Sequence, residues 1–497
     1  MTVKGNFING EFVGVTKANL TWSNYSPSDK SDLIGEFSAS NDHVADAVDA
    51  AKIAFKSWSK LSVDERAVYL NRLKEIYLSS KAEVAKAISR ETGKIEWEAL
   101  GEAGALAGKI DITINASMDL IKEIEIENAL PGVTGRILYK PRGVMAVLGP
   151  FNFPGHLPNG HFVPALLTGN TVVFKPSELT PLTGQLLAEM IEEAGFPTGV
   201  FNMVQGGGDV GKRLVKSDNV DGVLFTGSYE TGLKIKQDTA SHYWKMAALE
   251  MGGKNSSIIW EDTDMDKAVY ENVFGSFASS GQRCSCTSRI IVHDSIHEQF
   301  VERFHMTAKK IKIGHWSKEN FMGPVINDSS VERVLRFQQI AQREGAENLM
   351  RAKHIEPDGF NGSYVTPSIN LVKEVDQSSV FQTEEIFGPS VAIFKASEID
   401  EAIDIANATK YGLSSAVFSK DRNIYEKVRD NLDVGLINWN RASCGASSKL
   451  PFGGRKKSGN GYPSAHFAVY YCTEPLACLE DESSFDSSKI AKGLELV

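Results

Sequence analysis

The run GVMAVLGPFNFPGHLPNGHFVPALLTGNTVVFKPSE, residues 143–178, decides the fold class. It holds two short apolar stretches, GVMAVLG from 143 and TVVFKPS from 171, joined by a turn-rich loop and the helical segment HFVPALL. Neither stretch alternates apolar with polar residues, which fits strands covered on both faces. The unit recurs: GVFNMVQG begins at 199 and GVLFTGS at 222, so successive starts lie 28, 28 and 23 residues apart. That spacing suits strand–helix units feeding a parallel sheet. A second series follows from about 254, where KNSSIIW, SRIIVHD, SVAIFKA, SSAVFSK and VGLINWN read as strands separated by helices such as DMDKAVYENVFGSFASSG.

The expected fold is therefore α/β with two domains. The first takes 1–123 and 142–250, the second 251–440. Residues 42–58 and 63–90 carry apolar side chains at spacings of three and four, the mark of amphipathic helices. Residues 124–141 and TEPLACLE, 473–480, fit neither domain and read as strands that extend away to pair with a partner subunit. With 465–497 they make an expected β arm and C-terminal tail, in which DESSFDSS is solvated or docked.

Bulk properties narrow the function. A chain of 497 residues exceeds what one core supports. A formal charge of −10, without a long basic run, argues against nucleic acid or an anionic membrane as main partner. No window approaches the roughly 18 apolar residues of a membrane span, and MTVKGNFINGEFVG lacks the apolar core of a signal peptide. Five cysteines in so long a chain suggest a reducing compartment, the cytoplasm, rather than a disulfide framework.

Chemistry concentrates in a few places. SFASSGQRCSCTSRI, 276–290, sets Cys284 two residues before Cys286 and directly after Arg283. A metal clip needs further ligands, and Cys444, Cys472 and Cys478 offer no second knuckle, so no metal is expected. The Cys-x-x-Cys spacing of redox couples is also missing. Cys284 follows a helical run and sits at an element edge, where it can be a nucleophile with Arg283 favouring its thiolate, or simply a buried inert thiol. ALEMGGKNSSII places Glu250 before Gly252-Gly253, where a carboxylate can act as general base or make a surface salt bridge. Asn152, in the stiff loop after the first strand, can donate to an oxyanion. His156 and His161 are five apart and joined through Pro158, so one helical face cannot offer both to a metal and structural roles are expected. In FTGSYETG the strand–turn–helix start around Gly227 and Ser228 suits a pyrophosphate. Lys175 and Glu178 end another strand, where the lysine can reach ribose or phosphate and the glutamate favours NAD over NADP.

In order along the chain, GPFNFP, KPSE, FTGS, LEMGGK, GQRC, EEIFGP and PFGGRKKSG resemble the aldehyde dehydrogenase superfamily over nearly the whole sequence. The resemblance implies a Rossmann-like NAD-binding domain, an α/β catalytic domain and a small β oligomerisation arm. It implies Cys284 as nucleophile, Glu250 as base for deacylation, and Asn152 with the Cys284 amide as oxyanion donors. Lys175, Ser177 and Glu178 would contact the adenosine ribose. Gly227, Ser228 and Gly232 would lie near the pyrophosphate, and Glu385 and Phe387 near the nicotinamide and its ribose. A homodimer or tetramer is implied as well.

GPFNFPGHLPNGH, GQRCSC and GASSKLPFGGRKKSGNGYPSAHFAVYYC are similar, within that superfamily, to the succinylglutamate-semialdehyde dehydrogenases of bacterial arginine catabolism. The implied substrate is a small aldehyde bearing carboxylates. Arg283 is then a carboxylate partner or one half of an internal salt bridge, and the backbone amides of Gly445, Ala446 and Ser447 are a second anion site. Arg455-Lys456-Lys457 departs from the charge expected of that subfamily. The rival readings are a glutamate-semialdehyde (pyrroline-carboxylate) dehydrogenase and a binding or structural protein that keeps the scaffold without catalysis.

Overall fold

In the computed structural model, which describes residues 2–496, the parallel sheet read from 143–226 is present. Strands Val144–Leu148, Thr171–Lys175, Phe201–Met203, Gly222–Thr226 and Met246–Glu250 run parallel, in the spatial order fifth, fourth, first, second, third. Val144–Leu148, Thr171–Lys175, Gly222–Thr226 and Met246–Glu250 are buried at every position, as their unbroken apolar character requires. Asn6–Ile8 adds an antiparallel strand beside Phe201–Met203, and Glu11–Val13 forms the edge beyond it.

The strand order reverses at Val144–Leu148, whose neighbours are Thr171–Lys175 and Gly222–Thr226. At such a switch point the loops beyond the carboxyl ends diverge and leave a crevice. Here those loops carry Asn152 on one side and Gly227-Ser228 on the other.

The second sheet holds seven strands, including all five expected ones. Glu347–Met350 and Ser368–Leu371 extend it, the former antiparallel. Helices cover both sheets, with separate cores on their faces. The 63–90 segment is two helices, Val63–Ser79 and Lys81–Thr92, broken at Ser80. A further helix, Glu96–Asn115, runs behind the first sheet and presents Glu98, Glu102, Leu106, Lys109 and Thr113 to the interior.

The arm differs from expectation in its pairing. Ile124–Leu130, Val133–Pro141 and Thr473–Glu480 form one three-stranded antiparallel sheet within the chain, with Thr473 to Glu480 matched to Pro141 to Thr134. The two unassigned pieces pair with each other first. Residues 465–472, grouped with the arm from sequence, are not part of it: Ala468, Tyr471 and Cys472 are buried in the first domain's core. No helix among the described residues is long and apolar enough to cross a membrane.

Candidate active site

Cys284 owes its position to an abrupt chain reversal. Helix Met265–Phe277 is capped by Asp264, whose side chain accepts from the Lys267 amide at 3.2 Å. Ser279, Ser280 and Gly281 then take left-handed φ values of 51°, 56° and 71°. Such backbone costs about 1–3 kcal/mol per non-glycine residue and persists only where the surroundings over-determine it. The surroundings are specific: Ser279 Oγ donates to Glu98 Oε1 at 2.7 Å and Ser280 Oγ to the Gly323 carbonyl at 2.7 Å. Glycine is required at 281, because a Cβ there would overlap the Gly388 carbonyl.

The turn delivers Cys284 just ahead of strand Thr287–His293. Asn255 fixes it from below. Its Nδ2 donates to the Cys284 carbonyl at 2.7 Å and the Cys286 carbonyl at 2.8 Å, and its Oδ1 accepts from the Ser414 amide at 3.0 Å. Asn152, from the switch-point loop, reaches the same turn and donates from Nδ2 to the Gln282 carbonyl at 3.0 Å. The structure thus brings Asn152 and the Cys284 turn together.

Electrostatics holds the resting thiol protonated. Burial pushes the Cys284 thiol up to about 12, and the negative charges of Glu385 and Glu250 add to the effect. Cys286 is buried, with its sulfur facing the Ala278 carbonyl at 3.8 Å, and is a packed neighbour. Glu250 ends the sheet's edge strand, beside Thr226. Burial raises its carboxyl well above the ordinary range, only partly opposed by the Ser464 and Gly454 amides. One of its oxygens is buried without a partner. Its carboxyl lines a cavity with Gly453, Gly454, Tyr462 and Pro463, next to the Cys284 pocket and not inside it.

The cofactor candidates form an arc along the carboxyl ends of the first sheet. Lys175 Nζ is buried and donates to the Pro176 and Gly206 carbonyls at 2.7 and 2.8 Å, with Glu178 at 3.6 Å. Ser177 accepts from the Leu179 amide, which turns the chain so that Glu178 is exposed. Ser228 caps helix Tyr229–Thr239 by accepting from the Thr231 amide at 3.3 Å. That leaves the first-turn amides and the positive helix end facing outward, a natural seat for pyrophosphate. Gly227 donates its own amide to the Glu250 carbonyl at 3.0 Å, and Gly232 lets the helix pack against Met251. Glu385 rests on Gly252-Gly253, accepting from the Gly253 amide at 2.9 Å, and burial lifts its carboxyl to about 7. Phe387, at φ 56°, stands edge-on to Phe151 at 5.8 Å.

The substrate candidates divide. Arg283 lines the Cys284 pocket, but its Nη2 is bound to Glu98 Oε1 at 2.6 Å and its Nε to Ser279 Oγ at 2.9 Å. The salt-bridge alternative is the observed one. The loop amides need correction: Gly445 already donates to the Ala442 carbonyl at 3.1 Å and Ala446 to that of Cys444 at 3.2 Å. Among the described residues, only the Ser447 amide of the three is left for a ligand. Arg455 and Lys456 share Asp433, and Lys457 meets Glu384, so two carboxylates offset most of the basic triplet at a turn. His156 and His161 both line the pocket, with His161 bridging Tyr471 and Thr226.

Three residues were missed from sequence. Asn255 carries no motif signal, and Glu98 meets Arg283 across 185 positions. Lys109 did carry one: it lies on the buried stripe of its helix, a charge at an apolar position.

The family model described as the aldehyde dehydrogenase family matches residues 15–476. The chain belongs to that family. Two curated members similar to it are an N-succinylglutamate 5-semialdehyde dehydrogenase 2 from Caulobacter vibrioides, 40% identical and covering 99% of both chains, and an N-succinylglutamate 5-semialdehyde dehydrogenase from Serratia proteamaculans, 39% identical over 98% of both. Among solved aldehyde dehydrogenases, an NAD-dependent one from Sinorhizobium meliloti superposes with a TM-score of 0.92 at 30% identity, covering 97% of this chain and 96% of that one. Betaine aldehyde dehydrogenase from Staphylococcus aureus, in complex with NAD+, gives 0.92 at 30% identity, covering 99% of this chain and 97% of the other. As an aldehyde dehydrogenase, the chain is an enzyme, and the non-catalytic reading falls away.

Proposed function

We propose that this enzyme oxidises N-succinyl-L-glutamate 5-semialdehyde to N-succinyl-L-glutamate with NAD, as a step of arginine catabolism. The observation that supports the chemistry is Cys284 on a pocket wall, its carbonyl held by Asn255 at a strained turn, with Asn152 bonded to the same turn and Glu250 in the neighbouring cavity. The relatives named for this substrate, matched along nearly their whole length, support the substrate reading.

The residues divide the labour. Cys284 gives up its thiol proton to a water and attacks the aldehyde carbon as the thiolate, and the oxygen that gains charge is met by the Asn152 amide and the Cys284 N–H. Bound NAD supplies the hydride acceptor that turns this adduct into a thioester. Lys175 and Glu178 would hold the ribose, the amides beyond Ser228 the pyrophosphate, and Glu385 and Phe387 the nicotinamide end. The exposed Glu178 carboxylate accepts from a ribose 2′-hydroxyl and repels a 2′-phosphate, which favours NAD over NADP. Glu250 then takes a proton from the water that hydrolyses the thioester. Burial raises its pKa, which strengthens the carboxylate as a base, and its seat in the neighbouring cavity requires the side chain to turn toward Cys284.

We also read the enzyme as a cytoplasmic homo-oligomer. Ile124, Ile126, Leu130 and Leu479 expose between 45% and 63% of their surface on an otherwise unsupported three-stranded sheet, which a second copy would cover. All five cysteines are free thiols, consistent with a reducing compartment. The test of the substrate is steady-state NADH formation with a panel of aldehydes. N-succinylglutamate semialdehyde should give the highest kcat/KM with NAD, and a strong preference for unsuccinylated glutamate semialdehyde would refute the assignment.

A further inference from the structure

Three cationic side chains line or adjoin the Cys284 pocket, and only one lacks a carboxylate partner. Arg283 is neutralised by Glu98 at 2.6 Å, and Lys94 by Glu102 at 2.6 Å. Lys109, on the same helix as Glu98 and Glu102, is 1% exposed. Its Nζ donates to the Ala465 carbonyl at 2.7 Å, and among the described residues no carboxylate comes within ion-pair distance of it. Lysine is almost never buried unless paired, because leaving water penalises the charge. The pocket also has a second idle donor. His156 opens helix His156–Leu167 and lines the same cavity, and its Nδ1 is buried without a partner.

An ammonium with donors to spare, beside a ring nitrogen without an acceptor, is a donor set that one carboxylate satisfies. We propose that Lys109, aided by His156, binds a carboxylate of the aldehyde substrate and sets the enzyme's preference for acidic aldehydes. This deepens the functional reading above and rests on it for the carboxylated substrate class. Most competing anchors are engaged: Arg283 by Glu98 and Ser279, and the Gly445 and Ala446 amides by their own turn, which leaves the uncharged Ser447 amide beside Lys109 as a further donor in the pocket. Lys109 and Cys284 line one cavity, so a single molecule can place its carbonyl at the sulfur and its carboxylate at the ammonium. Phe153, Leu157 and Phe452 supply apolar wall for the carbon chain. Burial draws the Lys109 amine down to about 8, which leaves it mostly cationic at neutral pH. Burial also favours the neutral His156 ring, which then serves as a hydrogen-bond donor and not as a second charge.

The experiment compares succinate semialdehyde with butanal, a pair of equal carbon count differing in the carboxylate, in wild type, Lys109→Met and Lys109→Arg with saturating NAD. The wild-type preference for the carboxylated aldehyde, as a ratio of kcat/KM, should fall about 10- to 100-fold in Lys109→Met, the worth of one hydrogen bond to a charged group. The loss should lie mainly in KM, and Lys109→Arg should regain most of it. A ratio within twofold of wild type in Lys109→Met overturns the proposal. Should that variant fail to fold, wild-type enzyme pulsed with acetic anhydride decides: N-succinylglutamate should shield Lys109 from acetylation, and equal labelling with and without it refutes the assignment. If wild type prefers some other carboxylated aldehyde to N-succinylglutamate semialdehyde, the substrate reading fails, whereas a lost preference in Lys109→Met still upholds the role of Lys109.

Discussion

Replacing Asn255 by alanine should damage both stability and catalysis, through one set of hydrogen bonds. The side chain is 3% exposed and makes three bonds: to the Cys284 carbonyl, the Cys286 carbonyl and the Ser414 amide, at 2.7, 2.8 and 3.0 Å. Alanine removes the side-chain partner of all three buried groups. At about 1 kcal/mol for each, the low end for an unsatisfied buried group, the loss is about 3 kcal/mol. For a domain of this size that corresponds to a Tm lowered by about 6–12 °C, measurable by calorimetry. Catalysis should suffer separately, because the nucleophile's own carbonyl and that of Cys286 are no longer held. A displacement of the sulfur by about 1 Å is enough for roughly a 100-fold fall in kcat. Stopped-flow detection of NADH reads that directly. A variant with Tm within 2 °C of wild type and undiminished kcat would refute the view that Asn255 fixes the Cys284 turn.

Cys284→Ala should abolish aldehyde oxidation and Cys286→Ala should retain substantial turnover, both followed by NADH absorbance. Alkylation of the cofactor-free enzyme by iodoacetamide, read at the Cys284 peptide by mass spectrometry, should accelerate about tenfold per pH unit from 7 to 10 without a plateau, since the thiol titrates near 12. A plateau near pH 8 would show that burial and the Glu385 and Glu250 charges do not act as described. Gly281→Ala should lower stability by about 1–3 kcal/mol through its left-handed φ alone, with more from the overlap with the Gly388 carbonyl. Denaturant unfolding would check it.

Much of the framework was legible because its signals are local. Unbroken apolar runs such as Thr171–Lys175 can only be doubly covered strands, and their spacing carries the parallel topology. Glu347–Met350 and Ser368–Leu371 escaped because ENLM and SINL mix polar and apolar residues as a loop does. The candidates for nucleophile, base and oxyanion donor, Cys284, Glu250 and Asn152, came from the resemblance carried by motif order. The partners that govern them were not. Arg283 and Glu98 are 185 positions apart, and nothing local distinguishes an arginine awaiting a substrate from one already neutralised. The same holds for the Gly445 and Ala446 amides, which a tight turn had already consumed. Lys109 was legible in principle, as a charge on the stripe formed by Glu102, Leu106 and Thr113, yet its lack of a countercharge emerges only in three dimensions.

The covalent route rests on Cys284 forming a thioester that Glu250 alone helps to hydrolyse. Rapid mixing of Glu250→Gln with saturating aldehyde and NAD tests this most directly. The account predicts a burst of one NADH per active site followed by a slow steady phase, with the acylated Cys284 peptide visible by mass spectrometry. A steady rate equal to wild type, or no burst at all, would contradict it.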